Sequence, residues 1–209
     1  MSIIGKAGVI EAVRRICDII IANEIPFCDL DSAAGDGDFG MSLAKGFREV
    51  RDQWATLDTA DIGAFLKSCG MIVTEHCGGA SGPIWGSAFR AMGRYANGKD
   101  SLTLHEFGEM LEAAVEAIQK RGGAKLGDKT LLDALIPAAG AIRAAALEGK
   151  AIAVAFEEAR AAAVAGAEAT RLIAASKGRA SYLGARSVSF PDAGATAIGV
   201  IASQLLVPE

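Results

Sequence analysis

The sequence predicts an all-α fold. Hydrophobic residues make up 51% of its 209 residues and aromatic residues only 6%, and much of the remainder is alanine. A β-sandwich would need more Val, Ile, Tyr and Thr, whereas small apolar side chains suit closely packed helices. Apolar residues also recur along most of the chain at the i, i+3, i+4 spacing of an amphipathic helix.

This spacing predicts eight helices and no strand. The predicted helices cover residues 5–23, 41–55, 60–76, 82–96, 103–121, 129–147, 151–176 and 193–206. The fifth helix begins with the spacing of a capping box, because Glu106 follows Thr103 by three residues. Pro137 predicts that the sixth helix is kinked or starts late, since proline cannot donate the backbone hydrogen bond of a helix interior.

Composition and charge exclude several classes of function. No linker is long enough to divide the chain, so a single domain is expected over residues 1–209. A net charge of -4 and a pI near 5.3 provide no basic surface for nucleic acid. No apolar run reaches membrane-spanning length, and the N-terminal residues lack a secretory cleavage pattern, which leads us to expect a cytoplasmic protein without a membrane partner.

Glycines concentrate between the predicted helices. The densest joints lie at residues 35–40, 78–86 and 122–127, and a longer joint covers residues 176–196. Glycine at helix C-termini explains part of this pattern. It does not explain the polar residues at the same joints, which are Asp36, Asp38, Ser81, Asp128, Lys129, Thr130, Arg179 and Asp192.

The first joint carries the strongest chemical signal. Asp31, Asp36 and Asp38 lie within eight residues and have no obvious basic neighbour. Such carboxylates repel one another unless a cation holds them, and oxygen-only ligands favour Mg²⁺ or Ca²⁺. Mg²⁺ completes its shell with phosphate oxygens and water, and helix N-termini at 80–82 and 193–195 offer N–H groups for phosphate. The residues therefore predict a Mg²⁺–nucleotide site.

Familiar nucleotide and metal motifs do not fit these joints. Gly35, Gly37 and Gly40 have the G-x-G-x-x-G spacing, but the βαβ unit that this fingerprint requires is missing. The segment GGAKLGDKT differs from a Walker A loop because Asp128 is inserted before the lysine. An EF-hand that started at Asp36 would need Glu where Phe47 stands.

Four segments in chain order resemble a known family. They are LDSAAGDGDFGMSLAKGF, GGASGPIWGSAF, GDKTLLDALIPA, and KGRASYLGARS followed by DAGATA, and they extend from residue 30 to 197. They resemble the nucleotide-binding L subunit of dihydroxyacetone kinase, a unit that also forms the C-terminal domain of ATP-dependent dihydroxyacetone kinases. The resemblance implies a closed barrel of eight antiparallel helices with the nucleotide at one end.

The resemblance also implies residue roles. Asp31, Asp36 and Asp38 would hold two Mg²⁺ ions against the phosphates of ADP or ATP. The implied nucleotide contacts are Phe39, Gly40, Met41, Ser42, Ala80, Ser81, Gly122, Leu131, Arg179, Asp192, Ala193 and Gly194. No residue is implied as an acid, base or nucleophile. Catalysis would be positioning and charge stabilisation, and the small ketose would be bound by a histidine of a separate K subunit.

Three positions depart from the form of the family that depends on the sugar phosphotransferase system. Phe39 stands where His is usual, Ser42 where Asn is usual, and Ala193 where Pro is usual. Weaker polar contacts would suit a member that exchanges ADP for ATP, whereas the other mode keeps ADP bound and recharges it from a phosphoprotein. Two alternatives stay open: another ketose, such as a tetrulose, or a non-catalytic nucleotide-binding regulatory module.

Overall fold

The structure is a computed structural model that describes residues 3–205. These residues form nine α-helices: α1 (Lys6–Ala22), α2 (Glu24–Ser32), α3 (Phe39–Asp52), α4 (Ile62–His76), α5 (Ser81–Tyr95), α6 (Leu104–Gly122), α7 (Leu132–Leu147), α8 (Ile152–Ala169) and α9 (Ala193–Gln204). Two short strands, β1 (Ile3–Gly5) and β2 (Ser101–Thr103), pair antiparallel. The fold is therefore mostly helical, as predicted.

The helices pack in chain order. From α3 to α9 each helix lies against the next, α1 packs on α3, and α9 returns to contact α1. Helix α2 packs mainly on α3 and lies outside this sequence of neighbours. The buried apolar side chains face the middle of the bundle, where an apolar cavity of about 440 Å³ remains between the helices. Long amphipathic helices with short joints favour this arrangement of antiparallel neighbours.

Four local differences from the prediction have physical causes. The sequence pattern missed α2 because its apolar residues form no clear stripe, and Pro26 is tolerated there since it lies in the first turn. It missed β1 and β2, which have three residues each. Helix α7 starts at Leu132 instead of residue 129, because Lys129 has a left-handed backbone with φ of 61°, and Pro137 lies inside the helix. Helix α8 ends at Ala169, where the chain tightens into a 3₁₀ turn, instead of continuing to residue 176.

The end of the bundle that carries β1 and β2 is closed by its own hydrogen bonds. The predicted capping box is confirmed: Thr103 Oγ1 accepts from Glu106 N at 3.2 Å, and Glu106 Oε2 accepts from Thr103 N at 2.7 Å. Asp61 Oδ1 caps α4 by accepting from Ala64 N at 2.8 Å. The starts of α4 and α6 at this end are therefore satisfied by side chains of the protein, whereas α1 and α8 start without a side-chain cap.

None of the helices within residues 3–205 combines the length and the apolar composition that a membrane span requires. The last residue of the predicted helix 193–206 lies outside the described residues.

Candidate functional site

Four helix N-termini meet around one polar cavity at the other end of the bundle. Helices α3, α5, α7 and α9 alternate around the bundle with helices of opposite direction. The first residues of α3, α5 and α9, and the residues just before α7, line a cavity of about 260 Å³. The positive ends of four helix dipoles therefore point toward one space. Such an arrangement attracts an anion.

The N-cap residues of three of these helices, α3, α5 and α7, make no side-chain cap hydrogen bond. Other side chains accept from one N–H group of α3 and one of α7: Met41 N donates to Cys28 Sγ at 3.2 Å, and Leu132 N donates to Thr130 Oγ1 at 3.2 Å. Helix α9 differs because Asp192 Oδ2 accepts from Ala195 N at 2.7 Å. The uncapped N–H groups are the donors that a phosphate group would use.

The three predicted aspartates lie together on one wall of this cavity. Asp31 ends α2, and Asp36 and Asp38 follow in the loop before α3. One carboxylate oxygen from each lies within 4.8 Å of the others. Asp31 Oδ2 accepts from Gly37 N at 2.9 Å, which fixes this carboxylate in the loop.

The electrostatics of this cluster fit a hard divalent cation. Burial raises the pKa of Asp31, with smaller contributions from the charges of Asp36 and Asp38, although N–H groups of Phe39 and Gly37 act in the opposite direction. The one cation that pairs with the cluster within the described residues is Arg179, whose Nη1 lies 2.7 Å from Asp36 Oδ2. Three carboxylates that supply only oxygen ligands suit Mg²⁺ or Ca²⁺, and a divalent charge would stabilise their ionised forms.

Beneath the cavity lies a second polar layer that organises its loops. Asp133 Oδ1 accepts from Gly127 N at 2.6 Å, and its Oδ2 accepts from Thr130 N at 2.8 Å. Burial, with a smaller contribution from the charge of Asp133, raises the pKa of Asp192 to about 7, although the N–H of Ala195 and the ammonium of Lys129 act in the opposite direction. Burial also lowers the pKa of Lys129. These residues hold the glycine-rich turns in place rather than facing open solvent.

Most residues that the sequence predicted for the site lie around the cavity. Those that line it are Asp31, Asp36, Asp38, Phe39, Ser42, Ala80, Ser81, Leu131, Arg179, Asp192, Ala193 and Gly194. Gly40 lies instead where α3 crosses α2, and Met41 is exposed and donates its N–H to Cys28 Sγ at 3.2 Å. Gly122 lies at the end of α6 beside Ile84. The cavity therefore brings together residues from the joints 35–40, 78–86 and 176–196 with residues 129–131, and none from the joint 122–127.

Several lining residues were not predicted as ligand contacts. They are Leu30, Ala34, Gly78, Gly79, Ile84, Trp85, Lys129, Thr130, Lys177, Gly178, Ala180 and Pro191. Ile84 and Trp85 belong to the apolar stripe of α5, so periodicity assigns them to the core. Lys129 and Thr130 were visible as polar residues at a joint, but the sequence could not show that the lysine turns inward.

Comparisons with known proteins identify the family of this chain. The family model described as the DAK2 domain matches residues 33–206. The PEP-dependent dihydroxyacetone kinase, ADP-binding subunit DhaL, of Escherichia coli is 33% identical over 195 residues, which cover 93% of this chain and 93% of that protein. The L-erythrulose 1-kinase of Mycolicibacterium smegmatis is 33% identical over 204 residues, which cover 95% of this chain and 34% of that protein.

A solved structure has the same fold. The dihydroxyacetone kinase of C. freundii in complex with AMP-PNP and Mg²⁺ superposes with a TM-score of 0.75 at 26% identity. The match covers 95% of this chain and 33% of that one. The chain therefore spans about a third of the longer kinases that it resembles and nearly the whole length of the separate E. coli subunit.

Proposed function

The chain belongs to the DAK2 domain family, and on that basis we propose that it is the nucleotide-binding subunit of a dihydroxyacetone kinase. It would hold ADP or ATP with Mg²⁺ and transfer a phosphoryl group to a small ketose bound on a separate K subunit. The observation that carries this proposal is the cavity where three clustered carboxylates lie beside the N-termini of four helices. That combination matches a cation on one side and a phosphate chain on the other.

We assign the metal ligands to Asp31, Asp36 and Asp38 and propose that they hold two Mg²⁺ ions. When bound, Mg²⁺ supplies charge neutralisation at phosphate oxygens. The three carboxylates would orient the ions and would not act as general bases. Their close spacing and the burial of Asp31 support this role, because both features make the uncompensated cluster costly.

The remaining lining residues would position the nucleotide. The N–H groups at the starts of α3 and α5, near Ser42 and Ser81, would donate to phosphate oxygens. Arg179 would move from Asp36 to a phosphate once metal neutralises the carboxylate, since a guanidinium binds phosphate well. Ile84, Trp85 and Leu131 form an apolar wall that would exclude water from the reacting groups.

The order of helix contacts supports the closed barrel that the family resemblance implies. We propose that α1 and α3–α9 form its eight antiparallel helices, because each contacts the next and α9 contacts α1. Helix α2 would then be an addition that carries Asp31 to the rim of the barrel. The barrel would serve as a rigid frame for four helix starts.

A partner must present the ketose. The lining residues described in the structure include no histidine or cysteine, so nucleophilic binding of a ketone is assigned to the K subunit. The loops around the cavity also expose Met41, Leu126 and Tyr182, which are apolar contacts available to a partner. We therefore propose that the K subunit docks at this end. For the phosphoryl donor, a phosphoprotein of the phosphotransferase system is the alternative to ATP.

The choice between the two donors depends on how firmly ADP is held. Phe39 packs near Phe27, with ring centroids 6.0 Å apart, and offers the nucleotide no polar group. Ser42 and Ala193 line the same cavity with small side chains. We propose that the subunit exchanges ADP for ATP, while the ketose remains either dihydroxyacetone or a tetrulose such as the erythrulose of its longer relatives.

The test is to identify the nucleotide that the purified protein carries. The protein is denatured before and after treatment with EDTA and dialysis, and any released nucleotide is quantified by chromatography. An empty site that binds ATP only with Mg²⁺ supports the exchanging kinase, whereas stoichiometric ADP that leaves only with EDTA supports the phosphoprotein donor. Absence of Mg²⁺-dependent nucleotide binding, or failure of phosphoryl transfer with a K subunit, would overturn the catalytic proposal.

A further inference from the structure

Lys129 makes an unusual set of hydrogen bonds below the cavity. Its side chain is only 2% exposed, and its backbone adopts a left-handed conformation with φ of 61°. Nζ lies within hydrogen-bond distance of four backbone carbonyl oxygens, those of Thr170 at 2.9 Å, Ile173 at 3.1 Å, Ser187 at 2.7 Å and Phe190 at 2.7 Å, so two of them share one of its three hydrogens. Within residues 3–205 no carboxylate forms an ion pair with it. Carbonyl dipoles therefore solvate this buried charge.

All four carbonyls belong to one stretch of chain, residues 170–190, which we call the anchored segment. Ala175 is its one buried apolar residue among those described, and no residue from 171 to 190 joins the apolar clusters of the core. The anchored segment must therefore be held by polar contacts. Among these polar contacts, the buried ammonium of Lys129 has the most partners, since four carbonyl oxygens of the segment surround it.

The anchored segment has few other connections to the helices. Ser176 Oγ donates to Asp128 Oδ1 at 2.8 Å, beside Lys129 in the chain, and Arg179 pairs with Asp36. Its remaining hydrogen bonds include internal ones, such as Ala175 N to Ser187 Oγ at 2.9 Å. Residues 177–180 of this segment line the cavity. Displacing it would thus open one wall of the site without disturbing the core.

We propose that Lys129 is a positioning residue that holds the anchored segment against the cavity, so that Arg179 faces the bound phosphates. This inference rests on the proposed nucleotide-binding function. Lys129 acts through Arg179 and does not itself touch the nucleotide. Its loss would release the segment and speed nucleotide dissociation, while the packing of the helices would stay intact.

The first test measures release of a fluorescent N-methylanthraniloyl ADP in Mg²⁺ when excess ADP is added. Lys129→Met keeps most of the unbranched side chain and removes its donors, so we expect release at least about ten times faster than in the wild type, as for a lost hydrogen-bonded charge. Lys125→Met is the matched control, because it removes an exposed lysine from the same joint and outside the cavity lining. Lys129→Arg should give an intermediate rate.

A double-variant cycle separates positioning from a general loss of stability. If Lys129 acts through Arg179, then Lys129→Met combined with Arg179→Ala should release nucleotide no faster than Arg179→Ala alone. A general structural defect would add its effect to that of Arg179→Ala, and this result would overturn the proposal.

Limited trypsin digestion tests the anchored segment without nucleotide. Arg179 and Arg186 are exposed in it, and cleavage after them should be faster in Lys129→Met than in the wild type or Lys125→Met, with little change in the thermal midpoint. Equal cleavage in all three proteins would overturn the inference. If the wild type bound no nucleotide, the proposed function would fail, but the cleavage result would still test whether Lys129 holds the segment. If Lys129→Met did not fold, cleavage and release in Lys129→Arg would decide.

Discussion

The two ends of the helical bundle differ in which helix N-termini have a side-chain cap. At the end that carries β1 and β2, Asp61 and the Thr103–Glu106 capping box satisfy the first turns of α4 and α6. At the cavity end, the N-cap residues of α3, α5 and α7 make no side-chain cap hydrogen bond, and only α9 has a capping N-cap, Asp192. The strand end thus has a side-chain cap on two helix starts, α4 and α6, and none on α1 and α8, whereas the cavity end has one capping N-cap residue for its four helix starts.

The two Asp N-caps show the same contrast in their electrostatics. Asp61 is exposed enough to remain an ordinary cap, and its hydrogen bond from Ala64 N lowers its pKa. Asp192 caps α9 beside the cavity, and burial raises its pKa to about 7. Ionised Asp192 is therefore costly to the folded state, whereas ionised Asp61 stabilises it.

The largest expected effect comes from removing one carboxylate of the proposed metal site. Asp36→Asn should weaken Mg²⁺-dependent nucleotide binding and phosphoryl transfer by about 100-fold or more, since charge stabilisation by a metal is worth several kcal/mol. Calorimetric titration with Mg²⁺–ADP measures the binding. Asp29→Asn, which removes a nearby exposed carboxylate outside the cavity, should bind as the wild type does. Equal binding by both variants would contradict the site assignment.

A second prediction concerns how closely the cavity end is packed. A Cβ at Gly40 would overlap the carbonyl oxygen of Glu24, so Gly40→Ala must separate α3 from α2 and should cost about 3 kcal/mol of the free energy of unfolding. Gly140, in the exposed face of α7, has no atom within 4 Å of an added Cβ. Gly140→Ala should stabilise the protein by about 0.5–1 kcal/mol through helix propensity. Urea denaturation measures both, and a stable Gly40→Ala protein would disprove the tight contact.

The pH dependence of stability should differ in sign between the two caps. The folded-state pKa of Asp192 lies above its unfolded value, so its contribution to stability is full below about pH 4 and is lost as the pH rises toward 7. As the pH rises from about 4 to 7, the free energy of unfolding of Asp192→Asn should therefore increase relative to that of the wild type, by up to about 1 kcal/mol per pH unit.

Asp61→Asn should behave in the opposite way. Its pKa is lowered in the fold, so the stabilisation is present above the unfolded value near 3.8 and is lost as the pH falls below it. Thermal unfolding of both variants between pH 3 and 8 checks the signs. Parallel curves for the two variants would show that the caps do not differ.

The smallest effect should come from the end that carries the strands. Thr103→Ala removes the capping hydroxyl of α6 and should lower the free energy of unfolding by about 1 kcal/mol. Nucleotide affinity should stay unchanged because Thr103 does not line the cavity. Thr59→Ala, at an exposed position of the same end, is the control and should change neither quantity. A weaker nucleotide affinity in Thr103→Ala would mean that the two ends are coupled.

Most of the fold could be predicted because its elements are local. Eight helices follow from apolar spacing, and the capping box of α6 follows from Thr103 and Glu106 alone. Helix α2 escaped prediction because its helical state depends on packing against α3, where Gly40 permits close approach. The early end of α8 at Ala169 escaped because the anchored segment makes its polar contacts with residues about forty or more positions earlier in the chain.

The sequence by itself determined the helical class, the aspartate cluster and the joints that supply the candidate site, since each depends on neighbouring residues. Only the tertiary structure decided that α3, α5, α7 and α9 point their N-termini into one cavity and that Arg179 meets Asp36. It also turned Lys129 inward to four carbonyls of a distant segment. The physical reason is that periodicity fixes which face of a helix is buried, whereas the partner of a polar group is fixed only when distant parts of the chain come together.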